Sequence, residues 1–308
     1  VYKQVTWDIS GVCNAQCLYC PSGGRNVLGN LHKSQSGFLS PKNFEDGLHF
    51  MIDKGIISPD ETEIGLFNWG EPFLHPQFET MLRIVANMGF AFCLSSNGAT
   101  YKMIPEDTLW RLKSLAFSTP GFSQSSYDRM HGFDVGVIRK NIEAIISPIR
   151  RLSPGTSIGI ILLLYKWNLA DVNTTLQFCF ENGVNISFVC SHFTGITMPL
   201  RQYSEEDFLV DQWDTIKQHR PDNWDCPQYS GLVLDEFSNV LQCCVTDRYS
   251  YGNIIGKLKE VDFGNLEELR RSASVCRECK KCKIDYLTHN PSQDIGNIVH
   301  NIIFGGTL

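Results

Sequence analysis

The sequence predicts an α/β fold, an incomplete (β/α)6 barrel followed by a small cysteine-rich domain of a β-hairpin plus a helix, and three observations carry it. The first two thirds alternate apolar runs of strand length with helical stretches, the pattern of a parallel sheet covered by helices. Six such strand-and-helix units can be traced, two short of a closed barrel. After about Gln202 the alternation stops, and six of the twelve cysteines fall between Cys226 and Cys282.

Apolar runs place strands near Val5 to Ser10, Glu63 to Phe67, Ala91 to Ser95, Leu115 to Ser118, Ile158 to Leu164 and Asn185 to Val189. Helices are expected at Pro41 to Lys54, Gln77 to Met88, Pro105 to Leu112, Val137 to Ile149 and Val172 to Asn182. Ser40 caps the first, and Asn182-Gly183 stops the last. Gly231 to Asp235 and Asn239 to Cys243 read as the arms of a hairpin, and a helix follows near Asn265 to Ala273. The domains are therefore drawn as a barrel over 1–205, a cysteine-rich unit over 206–285 and a tail over 286–308.

A formal charge of −6 offers no basic patch of the kind that nucleic acid or an anionic membrane demands. No apolar run approaches the roughly 20 residues that span a bilayer, and VYKQVTWDIS lacks the pattern of a secretory signal. A soluble, cytoplasmic chain is expected. There, close C-x2-C spacings favour metal ligation over disulfides.

Cys13, Cys17 and Cys20 follow the first strand with the spacing C-x3-C-x2-C. Three thiolates on one loop can ligate three irons of a cubane, whereas structural zinc wants four protein ligands and the loop offers no fourth. Gly70-Glu71-Pro72 follows the second strand, Ser96-Asn97-Gly98 the third, and Ser118-Thr119 the fourth. Each alone reads as a turn or strand end; together, at successive strand ends, they resemble the radical SAM superfamily.

That resemblance implies a [4Fe-4S] cluster on Cys13, Cys17 and Cys20, with Tyr19 shielding it, and S-adenosylmethionine (SAM) on the open iron. It gives Gly70, Glu71 and Pro72 to the methionine amine, Ser96 and Asn97 to the ribose, and Ser118 with Thr119 to the carboxylate. His75, in the same segment, reads as structural.

The C-terminal cysteines resemble the auxiliary-cluster domain called SPASM or, in its shorter form, twitch. The resemblance implies a second [4Fe-4S] cluster on Cys226, Cys243 and two of Cys276, Cys279 and Cys282, which two being left open. A zinc ribbon is the alternative, since C-x2-C pairs suit tetrahedral zinc. Cys244 is left over beside a ligand, and a turn at the strand's end would aim it toward the barrel mouth.

The implied chemistry is hydrogen-atom abstraction by a SAM-derived radical. The layout resembles enzymes acting on sugars and aminocyclitols of the aminoglycoside type, which implies a small-molecule substrate and an external electron donor such as flavodoxin or ferredoxin. If Cys244 returns a hydrogen the product is an epimer; if the auxiliary cluster takes an electron the product is oxidised. For the latter, His192 and Arg201 are candidate polar groups. A peptide maturase is a further alternative, although no leader-binding domain fits before Val5; a zinc-stabilised binding protein is the non-enzymatic one.

Overall fold

The computed structural model describes residues 1–17, 20, 22, 23, 26, 36–190, 231–244 and 253–272. Its strands are β1 (Gln4–Trp7), β2 (Glu63–Gly65), β3 (Ala91–Ser96), β4 (Leu112–Thr119), β5 (Ser157–Leu164), β6 (Asn185–Cys190), β7 (Gly231–Leu234), β8 (Asn239–Leu241) and β9 (Ile254–Lys257). They form one sheet in the order β6-β5-β4-β3-β2-β1-β7-β8-β9. Pairing is parallel from β6 through β7 and antiparallel from β7 to β9.

The six expected strands are all present, each beside its predecessor, as right-handed crossovers through helices require. This is the α/β sheet of a partial barrel. The expected hairpin is β7–β8, and β7 lies along the free edge of β1, with Gln4 opposite Gly231 and Trp7 opposite Leu234. The described part of the cysteine-rich region thus continues the barrel sheet.

Helices α1 (Pro41–Asp53), α2 (Phe78–Asn87), α3 (Gln124–Met130), α4 (Val135–Leu152), α5 (Asp171–Asn182) and α6 (Leu266–Ser272) cover the sheet. Ser40 Oγ accepts from Asn43 N at 3.2 Å, the expected cap, and Gly183 stops α5 at a φ of 58°. Two expectations change. Glu106–Arg111 is a 3-10 segment where an α-helix was predicted, because the chain must enter β4 at Leu112 after barely two turns. Helix α3 was not foreseen in its serine-rich sequence; Ser123 caps it through Ser126 N.

Side chains alternate along the strands. Phe92, Leu94, Leu115, Phe117, Ile158 and Ile160 are buried, in one core with Met81, Leu82, Ile142, Ile145 and Phe178 of the helices. Their neighbours Cys93, Ser95, Ser114, Ala116, Ser118 and Gly159 point to the opposite face and are only half-buried. The inner face of β3 and β4 is therefore lined by small residues, while β5 adds Ile161 and Leu163.

Two buried side chains join elements. Trp7 packs edge-on against Phe44 of α1 at 5.1 Å, and its indole N–H donates to Asp235 O at 3.2 Å. Asn168 accepts from Tyr165 N at 2.7 Å and donates to Pro120 O and Leu163 O, both at 2.8 Å, tying the ends of β4 and β5. Asn168→Ala leaves three buried backbone groups unpaired and should cost about 2–3 kcal/mol, read as a lowered urea midpoint.

Candidate active site

The motif loops all leave the C-terminal ends of parallel strands, the rim where barrel proteins carry their functional groups. There the ends of β1 and β2 touch through backbone. A Cβ on Gly70 would sit 1.5 Å from Ser10 O, so only glycine fits. Asp8 accepts from Trp69 N at 2.8 Å and Gly70 N at 3.1 Å, and Glu71 N donates to Val12 O at 2.8 Å.

Glu71 extends this knot to β3. Its carboxylate accepts from Ser96 Oγ at 2.9 Å, Phe73 N at 3.0 Å and Asn97 N at 2.8 Å, and the residue is 2% exposed. With both oxygens engaged by these three donors, Glu71 positions the turns around it. Pro72 opens the short 3-10 turn beside it. Burial raises the Glu71 carboxyl to about 7, against the pull of its three donors. Burial, then the charge of Glu236, raises Asp8 to about 8.

Asn97 reaches the cysteine loop. Its amide donates to Asn14 Oδ1 at 2.9 Å and points at Cys13 Sγ, 3.8 Å away. Gly98 turns at a φ of 73°, its N–H on Ser96 Oγ, while Asn141 of α4 holds the carbonyls of Gly98 and Ala99 at 3.0 Å. Ser118 is half-buried on the inner face, and the fully buried Thr119 hydroxyl has no hydrogen-bond partner.

Cys13, Cys17 and Cys20 come together against one apolar wall of Ala15, Met130, Phe133, Leu163, Tyr165 and Trp167. Asn26 clamps their loop, donating to Cys13 O at 2.8 Å and Ala15 O at 2.6 Å. Among the described residues no three Cys, His, Asp or Glu side chains converge on a position for a single metal ion. Three thiols gathered on one apolar wall are the donor set that a multi-iron cluster takes. Burial first, then the charges of Cys20 and Glu71, pushes the Cys13 thiol up to about 12, so iron must displace its proton.

Sequence reasoning missed the stack of Tyr165 on Trp167, 5.0 Å apart at 15°, with the Arg129 guanidinium 4.8 Å from the Trp167 ring centroid. The signal was an aromatic pair directly after a buried strand. His75 is structural as expected: its Nε2 lies 2.8 Å from Leu39 O, and its Nδ1 accepts from Gln77 N.

Cys243 and Cys244, both half-buried, lie away from this rim. Strand β8 runs antiparallel to β7, so its end descends toward Gly231, where β7 begins. Gln242, next to Cys243, donates to Arg270 O, and Arg270 donates to Gly231 O at 2.9 Å. The direction of β8 leads away from the mouth toward which Cys244 was expected to turn. Tyr19, Cys226, Cys276, Cys279, Cys282, His192 and Arg201 lie outside the described residues.

Because Asp8 is raised from 3.8 to about 8, the folded chain holds a proton there that the unfolded chain releases. Its contribution to stability is full below about pH 4 and falls as pH climbs to about 8. Asp8→Asn keeps an acceptor for Trp69 N and Gly70 N, so its urea midpoint should fall less than that of the parent between pH 5 and 9.

No protein-family profile matches the chain. It is 25% identical over 170 residues, 54% of its length, to an S-adenosylmethionine-dependent nucleotide dehydratase of a Thermoplasmatales archaeon, a match spanning about half (55%) of that protein. No described helix is long and apolar enough to cross a membrane. The fold superimposes on anSMEcpe with bound AdoMet at a TM-score of 0.60 and 13% identity, covering 92% of this chain and 80% of that one. On SuiB of Streptococcus suis bound to S-adenosylmethionine the TM-score is 0.58 at 13% identity, covering 92% and 72%. The chain thus shares the fold of SuiB and anSMEcpe, both solved with S-adenosylmethionine bound.

Proposed function

We propose that Cys13, Cys17 and Cys20 hold a [4Fe-4S] cluster with SAM beside it, and that the enzyme epimerises a carbon of a sugar or aminocyclitol-type substrate, Cys244 returning the hydrogen. The observation that supports this reading is the gathering of Cys13, Cys17 and Cys20 on one apolar wall at the rim where the motif turns meet. When bound, the cluster supplies the electron that cleaves SAM, and the fragment released removes a hydrogen atom from the substrate.

The residues of the chain arrange the rest. Glu71, Asn97 and Gly70 register the turns around the cysteine loop, while Ser95, Ser114 and Ser118 give the lumen hydroxyls for a polyol or amine. A thiol that reaches the substrate from the side opposite the abstraction gives the geometry inversion needs. Cys244 S–H passes one hydrogen atom to the substrate carbon and is left a thiyl. One electron from an external flavodoxin- or ferredoxin-type donor and one proton from solvent restore it. Cys226, Cys243 and two of Cys276, Cys279 and Cys282 would hold the auxiliary [4Fe-4S] cluster.

Oxidation of the substrate through the auxiliary cluster is the second outcome of the same arrangement. Other substrates have their own support: SuiB has been solved bound to the precursor peptide SuiA and anSMEcpe to a Cp18Cys peptide, and the archaeal relative acts on a nucleotide.

Anaerobic reconstitution should load about eight irons, four per cluster. Incubated in deuterated water with SAM, reductant and a panel of aminoglycosides, peptides and nucleotides, the protein should form 5′-deoxyadenosine and an isomeric aminoglycoside one deuterium heavier. A product two hydrogens lighter identifies a dehydrogenase, and turnover of a peptide or nucleotide moves the substrate class. Cys17→Ala should abolish 5′-deoxyadenosine; Cys244→Ala should keep both clusters and 5′-deoxyadenosine yet lose the deuterated isomer. Retention of the isomer in Cys244→Ala would end the epimerase reading.

A further inference from the structure

Three elements meet at the wall beside the cysteine loop. Tyr165, at the end of β5 and 1% exposed, packs in one apolar group with Cys17 and Met130, and Cys13, Cys20 and Trp167 pack against that group. The end of α3 is tied to the loop by backbone, His131 O accepting from Gln16 N at 3.1 Å. Trp167 lies in the 3-10 turn Lys166–Asn168 that follows β5. Asn168 fixes that turn, since its side chain holds Tyr165 N and the carbonyls of Leu163 and Pro120.

The Tyr165 and Trp167 rings are stacked 5.0 Å apart at 15°, and the Arg129 guanidinium, next to Met130 on α3, sits over the Trp167 ring, 4.8 Å from its centroid. Such contacts between flat groups are favourable but demand a fixed orientation. The indole N–H is shut away from solvent and has no hydrogen-bond partner, so the ring is held by its π contacts and its apolar packing. Exposure rises along this stack: Tyr165 and Cys17 are buried, Trp167 is half-buried and Arg129 is exposed. The stack therefore runs outward from the cysteine group to the surface.

We propose that Trp167, stacked on Tyr165 and covered by Arg129, closes this side of the cysteine-loop cluster to water and thereby holds its reduction potential down. This rests on the cluster assignment made above. Reduction adds negative charge to a cluster, which water stabilises and an aromatic plate does not; solvent exposure is one of the levers that set such potentials, and the apolar shell of a metal site controls it. A dry wall makes the reduced cluster the stronger electron donor. Trp167 is a positioning residue, acting through the surroundings of the thiolates without touching substrate.

The test is redox titration of the anaerobically reconstituted full chain, following the EPR signal of the reduced cluster that responds to added SAM. Trp167→Ala should keep its iron and make reduction easier by about tenfold, or 59 mV for one electron. In deuterated water its reduced cluster should couple to more exchangeable deuterons than the parent's, and it should bleach faster in air. Trp167→Phe keeps a ring to stack and should stay near the parent. Arg129→Lys keeps the charge but loses the flat guanidinium, and should move part of the way toward Trp167→Ala. An intact cluster whose potential and deuteron coupling are unchanged in Trp167→Ala overturns the proposal. So does a lowered potential, which would mark the indole N–H as a donor to sulfur. If Trp167→Ala fails to load iron, Trp167→Leu, smaller than the indole and without a plane to stack, must show the rise; no rise there overturns it equally. A parent protein that loads no cluster would instead overturn the assignment beneath it.

Discussion

The architecture of the rim depends on the close approach of Gly70 to the carbonyl of Ser10. Two neighbouring parallel strands end there with their backbones in contact, which fixes the stem of the cysteine loop against the turn that follows β2. Asp8 and Glu71 then bond backbone amides on either side of that contact, and Glu71 carries the registration on to Ser96 and Asn97. From Asn97 it passes to Asn14 and to Cys13. Three loops from three strands are thereby held together at the rim.

Burying two carboxylates is costly, and the molecule answers with N–H donors rather than cations. Glu71 has three donors, whereas Asp8 has two backbone amides and a repelling neighbour in Glu236. Glu236 is itself pressed onto Gly11, where a Cβ would lie 1.6 Å from Oε1, and accepts from Gly37 N at 3.3 Å. The hairpin turn between β7 and β8 is therefore wedged against the stem of the cysteine loop. The same hairpin turns the chain back along β7 before Cys243 and Cys244.

Much of this was legible in the chain. Strand periodicity gave all six barrel strands, because each has one face in the helix-covered core, and the Ser40 and Gly183 boundaries followed from local cap chemistry that needs no distant partner. The cysteine spacing and the motifs after β2, β3 and β4 placed the candidate site on one rim, since parallel strands joined by crossovers must end together. The 3-10 segment before β4 and helix α3 escaped because their conformations are set by what they pack against, not by a repeating apolar face.

The sequence by itself determined the parallel sheet, the order of its strands and the cysteine loop at its C-terminal rim, since alternation and spacing are properties of neighbours along the chain. Only tertiary structure decided that β7 joins the free edge of β1, that β8 runs back along β7, and that Glu71 faces inward to Ser96 and Asn97. It alone placed the Tyr127 hydroxyl in the core, buried and without a partner. Edge pairing, strand direction and the burial of one hydroxyl depend on groups far apart in the chain, which local pattern does not encode.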